Sequence, residues 1–212
     1  RTGRNLADFP LPGAMTMDHR INLEEKMCNA FEKLMSMKEY GGRYYSLTPG
    51  TKYSINDQEY QKLIKEHLMF KDMSADTYLK SAGISNQWPY GRGCYVSGDR
   101  QFIIWVGEED HLRIVSMQGD RSKPTPEGKD MRAVVARFIT ACDKVKESLE
   151  KDGTTFMHND HHGFVLTCPS NLGTGLRAGA MANLPNVSGR EDWKELLGKM
   201  KLQARGTAGV DS

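Results

Sequence analysis

The chain has 212 residues, of which 38% are hydrophobic and 26% are charged, and its formal net charge is only +2. A chain of this length can bury a sizeable core as one domain. The small net charge argues against nucleic acid or an anionic membrane as the main partner, and the apolar run at residues 102–106 is far too short to span a bilayer.

Two amphipathic helices are predicted in the first third of the chain. Asn22, followed three residues later by Glu25, is an N-capping signal, and the apolar residues after it repeat at helical spacing. We therefore expect a helix over residues 22–38. A shorter helix is expected over residues 56–68, where apolar residues again share one face.

The middle of the chain predicts a β-hairpin and then a long helix. Residues 101–106 and 111–117 are rich in β-branched residues and flank a polar turn at 107–110. A polar loop at 119–130 follows. Apolar residues at helical spacing after it predict a helix over residues 130–151.

The last third of the chain predicts two strands and one helix. An apolar run at 163–167 and a return strand at 176–184 are expected to flank a glycine-containing loop. Ser188 and Glu191 form a capping-box pattern that opens a further helix. Strands joined by turns, with helices in separate blocks, predict an α+β domain built as an antiparallel β-sheet flanked by α-helices.

The most informative segment is the loop at residues 168–179, Cys-Pro-Ser-Asn-Leu-Gly-Thr-Gly-Leu-Arg-Ala-Gly. Its proline fixes one backbone angle, its glycines let the backbone approach a ligand closely, and its arginine can clamp an anion. This order of residues closely resembles the reactive-cysteine loop of the phosphagen kinases, the ATP:guanidino phosphotransferases.

Several other motifs follow in the order of that family. They are Arg1-Thr2-Gly3-Arg4, the segments at 42–45, 66–70, 88–93, 105–113 and 114–118, and Leu202-Gln203-Ala204-Arg205-Gly206-Thr207-Ala208-Gly209-Val210-Asp211. The resemblance implies a glutamine-synthetase/guanido-kinase-like fold. It also implies that residues 1–212 are part of a C-terminal catalytic domain, from which an N-terminal helical domain and the C-terminal end are missing.

Arginines are the expected phosphate clamp, because arginine stays charged and offers a planar fork to phosphate oxygens. The chain has no Walker loop and no protein-kinase signature set. Any single arginine could equally be a solvated surface residue. The resemblance implies that Arg1, Arg113, Arg177 and Arg205 surround the phosphates of ATP or ADP, and that His67 contacts the nucleotide, although a structural histidine at a helix end is the alternative.

Three consecutive acids occupy the predicted hairpin turn. Taken alone, they could be a polar hairpin tip, or they could pair with a guanidinium and accept its proton. The resemblance assigns that catalytic part to Glu109, with Glu108 and Asp110 as supporting acids near the Mg²⁺. It implies that Mg²⁺ is held by the nucleotide, with Glu108 as the one candidate for a protein contact, and that the protein has no direct metal site.

Cys168 could be an inert thiol at the end of a strand, or its loop could stabilise a thiolate. The resemblance implies that Cys168 lies beside the substrate guanidine and organises it without a covalent intermediate. Cys28, Cys94 and Cys142 are interpreted as structural. The histidines at 158, 161 and 162 suggest zinc, but no fourth ligand lies at metal spacing, so we expect no metal site there.

The guanidine substrate is expected to be creatine. Ser170, Leu176 and the apolar Val210, which would suit a methyl group, favour a creatine-kinase-like member of the family. Taurocyamine, lombricine, glycocyamine and arginine kinases are the alternatives. Met181 stands where the family has a histidine against the nucleotide base, so a catalytically inactive nucleotide-binding domain is a further alternative.

The sequence gives fewer indications of partners and compartment. ATP or ADP and a guanidino small molecule are the expected ligands, and a homodimer is common among creatine-kinase-like members of the family. Four cysteines spread over this length do not form a disulfide framework and favour a reducing compartment. We expect a cytoplasmic location, with mitochondrial and flagellar ones left open.

Overall fold

A computed structural model describes residues 1–118, 131–180 and 184–204. The chain divides into two compact units, Arg1–Arg177 and Ala178–Ser212. The first unit is built on a five-stranded antiparallel sheet with the strand order β1-β5-β4-β3-β2, which confirms the predicted α+β class. Its strands are β1 (Thr2–Arg4), β2 (Arg43–Ser46), β3 (Gly93–Val96), β4 (Phe102–Val106) and β5 (Leu112–Ser116).

Helices flank this sheet, and their bounds test the periodicity argument. The helices of the first unit are α1 (Met17–Ser36), α2 (Asp57–Lys65), α3 (Thr77–Ser81) and α4 (Met131–Lys151). The prediction of α4 is confirmed almost to the residue. The prediction of α2 is confirmed at its start, where Asn56 accepts a hydrogen bond from the backbone of Glu59, but α2 ends three residues before the predicted end.

The predicted start of α1 at Asn22 is wrong. Thr16 is the N-cap, and its Oγ1 accepts a hydrogen bond from the His19 backbone N–H at 3.3 Å. The first turn is also held from outside the helix, because the buried Arg20 donates from Nη2 to the carbonyls of Pro12 and Gly83. Helical periodicity starts later than the helix because these first-turn contacts are polar.

The predicted hairpin is confirmed as β4 and β5, which pair antiparallel with Trp105 opposite Arg113. Side chains alternate between the two faces of the sheet. One face packs against α1 and α4 and carries the larger core; the other carries Ile103 and Cys94 and packs against the segment around α2. Trp105 and Arg113 share this second face.

The strands predicted around the cysteine loop are much shorter than expected. Only β7 (Gly163–Phe164) forms, paired with β6 (His158–Asn159), and the described part of 176–184 contains no strand. Phe164 instead exchanges two backbone hydrogen bonds with Gly173, at 2.9 and 3.2 Å. A Cβ on Gly163 would lie 2.7 Å from the Gly173 Cα, so this close return of the chain requires glycine.

The second unit contains two short helices among its described residues. They are α5 (Pro185–Ser188) and α6 (Trp193–Lys199). The helix predicted after Ser188 forms as α6, but its predicted start is wrong, because Asp192 is the N-cap residue of α6. The predicted polar loop at 119–130 lies outside the described residues. Across the described ranges, every helix is too short or too polar to cross a membrane.

Candidate active site

The acidic turn joins β4 to β5 and begins at Gly107. Gly107 has a φ of +69°, a conformation that favours glycine, and its N–H donates to the His111 carbonyl at 3.0 Å to close the turn. The Gly107 carbonyl accepts a hydrogen bond from Nε of the buried Arg92 at 3.2 Å. The turn is therefore fixed at its first residue before the three acids begin.

Arg92 is a residue that the sequence reasoning did not select for the site. Its guanidinium donates to five backbone carbonyls and makes no ion pair among the described residues; the acceptors are the carbonyls of Ile84, Asn86, Gln87, Tyr90 and Gly107. Burial lowers the pKa of Arg92 to about 9. Charged residues are rarely fully buried, so its residue type predicts a surface position. The one feature of the sequence that pointed to Arg92 is its place in the motif at 88–93.

Glu108 and Glu109 both pair with the same arginine. Nη2 of Arg113 lies 3.0 Å from Glu108 Oε2 and 2.5 Å from Glu109 Oε2. The three side chains are 13%, 15% and 23% exposed for Arg113, Glu108 and Glu109 respectively, and the Arg113 guanidinium lies 5.9 Å from the centre of the Trp105 ring. Burial raises the pKa of Glu108, and Arg113 opposes that rise. Partly buried charge-assisted contacts of this kind are stronger than exposed ones.

Asp110 points inward and is only 1% exposed. Its Oδ1 accepts hydrogen bonds from Asn5 Nδ2 at 3.0 Å and from the Thr167 backbone N–H at 2.8 Å. No donor in the described part of the chain reaches its Oδ2, which lies 2.6 Å from the position of a Cβ on Gly3, so only glycine fits at that point of β1. Asp110 therefore connects the acidic turn to the residue that precedes Cys168.

Asn5 and His111 join the end of the acidic turn to the N-terminal segment. Asn5 Oδ1 accepts from the His111 N–H at 2.7 Å, and His111 Nδ1 accepts from the Leu6 N–H at 2.9 Å. Because Nδ1 is an acceptor, Nε2 carries the proton and donates to the Pro10 carbonyl at 2.9 Å. Burial lowers the pKa of His111 to about 4. Asn5 was missed by the sequence reasoning, although it directly follows the first family motif.

The cysteine loop brings several of the predicted residues together. Cys168 is partly exposed, with its Sγ 3.0 Å from Ser170 Oγ. Arg177 donates from Nη2 to Asn171 Oδ1 at 2.9 Å. Arg1 and Arg177 exchange two backbone hydrogen bonds, at 2.8 and 2.9 Å. The backbones of two arginines predicted to bind phosphate are therefore adjacent.

His67 follows the C-terminus of α2, is exposed and has a φ of +58°. The next residue, Leu68, anchors the segment, because its carbonyl accepts from Trp105 Nε1 at 2.7 Å. Trp105 is the neighbour of Arg113 across the two strands. His67 is thereby tethered to the face of the sheet that carries Arg113.

The remaining predicted residues fall into three groups. All of the cysteines are free, and burial raises the pKa of Cys28 to about 12, that of Cys142 to about 11 and that of Cys94 well above its usual value. Among the described residues, no three His, Cys, Asp or Glu side chains come close enough to hold a metal, including the histidines at 158–162. Arg205, Val210 and Met181 lie outside the described residues.

Comparison with known proteins identifies the family. The family model for the ATP:guanido phosphotransferase C-terminal catalytic domain matches residues 22–212. The chain is 40% identical over its whole length to the testis isozyme of creatine kinase from Oncorhynchus mykiss and 39% identical to the M-type creatine kinase of Rattus norvegicus. It spans 51% of each of these relatives, about half their length.

Solved structures agree with this assignment. A lombricine kinase covers the whole chain with a TM-score of 0.84 and 30% identity, the match spanning 54% of that protein. The substrate-free duplicated taurocyamine kinase of Schistosoma mansoni covers the whole chain with a TM-score of 0.80 and 33% identity, over 27% of its own length. The chain therefore belongs to the ATP:guanido phosphotransferase (phosphagen kinase) family, within its C-terminal catalytic domain.

Proposed function

We propose that the chain catalyses the reversible transfer of the γ-phosphoryl group of ATP to a guanidino nitrogen, with creatine as the leading substrate. One observation carries this proposal: Glu109, at the predicted catalytic position, already accepts a guanidinium. Its Oε2 lies 2.5 Å from Nη2 of Arg113. A carboxylate held at a partly exposed turn in this way is chemically suited to a substrate guanidinium.

Arg113 occupies the side of Glu109 Oε2 on which the substrate guanidinium would bind. We propose that the Arg113 guanidinium turns to the nucleotide phosphates, and that the substrate guanidinium takes its place at Glu109. Glu109 then orients the attacking nitrogen and accepts the proton that this nitrogen loses as the new P–N bond forms and the bond to the ADP leaving group breaks. The reverse direction returns the proton from Glu109.

Arg1 and Arg177 support the phosphate side of this proposal. Their backbones are hydrogen-bonded to each other, and Asn171 orients the Arg177 guanidinium. Positive charge held in place before the reaction stabilises the transferring group without reorganisation. We propose Arg113 and Arg205 as the other two arginines that bind the nucleotide phosphates.

The acidic turn fits a Mg²⁺ that is held mainly by the nucleotide. Magnesium usually keeps several waters and takes one or two carboxylates besides the phosphates. Glu108, whose side chain is 15% exposed, is the carboxylate proposed for this contact, since Glu109 is assigned to the substrate. When bound, the ion neutralises charge on the phosphates. Asp110 has its Oδ1 committed to Asn5 and Thr167, so we propose that it positions the cysteine loop.

The choice of creatine rests on the sequence of the cysteine loop and on the creatine kinase relatives. The structural neighbours include kinases named for lombricine and taurocyamine, so they do not separate the guanidines. Taurocyamine, lombricine, glycocyamine and arginine are therefore compared directly in the test. A cytoplasmic location and a homodimer remain predictions from the sequence.

The test is phosphoryl transfer by the full natural polypeptide, followed by phosphorus NMR with MgATP and each of the five guanidines. We expect creatine to give the highest kcat/KM. Glu109→Gln should lower kcat by about 10²- to 10⁴-fold, the usual range for loss of a general base. The matched control is Glu147→Gln, which removes a surface carboxylate paired with Lys33 and Lys144 and should leave kcat unchanged.

Two outcomes would contradict this proposal. A Glu109→Gln variant with unimpaired turnover would remove the assignment of Glu109. Binding of MgADP without transfer to any of the five guanidines would instead favour an inactive nucleotide-binding domain.

A further inference from the structure

Arg4 is the last residue of β1 and lies beside the cysteine loop, yet no step proposed above uses it. Its Nη1 donates to Thr2 Oγ1 at 2.7 Å and to the Thr174 carbonyl at 3.1 Å. Thr2 Oγ1 in turn donates to the same Thr174 carbonyl at 2.7 Å. The Thr174 carbonyl, within the cysteine loop, therefore accepts hydrogen bonds from two side chains of β1.

The same guanidinium also contacts the segment that precedes the loop. Its Cζ lies 3.6 Å from the ring centre of Phe164, at stacking distance, and 5.9 Å from that of Phe156. Phe164 exchanges two backbone hydrogen bonds with Gly173, the neighbour of Thr174. Arg4 thus contacts both the segment that precedes the loop, at Phe164, and the loop itself, at Thr174.

The base of the loop leaves little room for adjustment around this contact. Gly175 has a φ of +58°, and a Cβ there would lie 2.7 Å from Leu166 Cδ1 and 3.2 Å from Thr2 Oγ1. Because the two segments are in direct contact, a shift of Thr174 away from β1 moves the intervening residues with it. Those residues include Cys168 and Asn171, which orients Arg177.

We propose that Arg4 is a positioning residue that sets where Cys168 and Arg177 stand relative to Glu109. This inference rests on the proposed phosphoryl transfer for its kinetic consequence. Arginine is needed because a planar guanidinium can stack on Phe164 with its face while it donates to Thr174 with its edge. A lysine keeps the charge but offers neither the flat face nor the fork.

The test uses Arg4→Lys and Phe164→Leu in the full natural polypeptide, singly and together. A displacement of about 1 Å in a reacting geometry can lower kcat by about 100-fold, so we expect each single variant to lose about 10- to 100-fold in kcat. The KM for the nucleotide should change far less. The double variant should lose little more activity than the worse single variant, because both substitutions break the same contact, the one between Arg4 and Phe164.

A second readout follows the loop itself. The rate at which iodoacetamide alkylates Cys168, measured by mass spectrometry of its peptide, should change several-fold in both variants. The matched control is Arg43→Lys, which alters another arginine that lies over an aromatic ring, Tyr45 at 5.0 Å, on the far strand β2. It should change neither kcat nor the alkylation rate.

The proposal is overturned if folded Arg4→Lys keeps its kcat, or if kcat falls while alkylation of Cys168 is unchanged. If Arg4→Lys does not fold, Phe164→Leu and Thr2→Val, which removes the hydroxyl donor to Thr174, decide by the same two readouts. If the unsubstituted protein transfers no phosphoryl group, the proposed function fails. The alkylation rates then decide the role of Arg4 alone, with a shift supporting it and no shift overturning it.

Discussion

The buried imidazole of His111 makes the stability of the protein dependent on pH. Burial lowers the pKa of His111 to about 4, against an ordinary value of 6.5, and its neutral form is fixed by the bonds to Leu6 and Pro10. Between these two values the unfolded chain binds the proton and the folded chain does not. The free energy of unfolding therefore rises with pH in this window, and the stabilisation is lost as pH falls from 6.5 towards 4.

The magnitude follows from the gap between the two pKa values. At about 1.4 kcal/mol per pH unit, the gap limits the contribution of His111 to about 3 kcal/mol, of which about 2 kcal/mol should be lost between pH 7 and pH 5. Burial raises the pKa of Glu24 and gives an effect of the opposite sign. The contribution of His111 is therefore measured as the difference from a variant that does not titrate.

Urea unfolding at pH 5 and pH 7 provides the assay. The unsubstituted protein should lose about 2 kcal/mol more than His111→Gln over this interval. His161→Gln is the matched control, because that histidine is exposed, and it should behave like the unsubstituted protein. An equal pH dependence in the unsubstituted protein and His111→Gln would refute a neutral buried imidazole.

Two further predictions concern the residues around the site. Asp110→Ala leaves the N–H groups of Asn5 and Thr167 without their acceptor, so urea unfolding should show a loss of about 3 kcal/mol or more, whereas a loss below about 1 kcal/mol would contradict the buried contacts. His67→Gly relieves a left-handed backbone while it removes the imidazole, so the melting temperature should hold or rise while the Kd for MgADP, measured by calorimetry, increases. An unchanged Kd would show that His67 has no part in nucleotide binding.

The elements that depend on local periodicity could be predicted from the sequence. Residues 131–151 carry apolar side chains at helical spacing over many turns. The β4–β5 hairpin consists of two segments rich in β-branched residues on either side of a polar turn. The start of α2 also agrees with its prediction, and the bond from Glu59 to Asn56 that caps it is local. The acids, the cysteine and the arginines were selected as a set because their motifs keep the order of a known family.

Contacts between distant segments were decided only by the tertiary structure. The start of α1 depends on Arg20 reaching Pro12 and Gly83, and the turn at Gly107 depends on the buried Arg92. A sequence pattern places charged side chains at the surface because burial normally costs their hydration. Here backbone carbonyls from separate loops replace that water.

The order of residues along the chain decides which residue types are available for the proposed phosphoryl transfer and which segments become helix or hairpin, since both depend on neighbours in sequence. It did not determine that Gly3 lies beside Asp110, that Asp110 reaches Thr167, or that Glu109 meets Arg113. The first two follow from the packing of β1 and the cysteine loop against the acidic turn. The third follows from the curvature of the turn, which brings a carboxylate back over an arginine four residues later, and no periodicity encodes it.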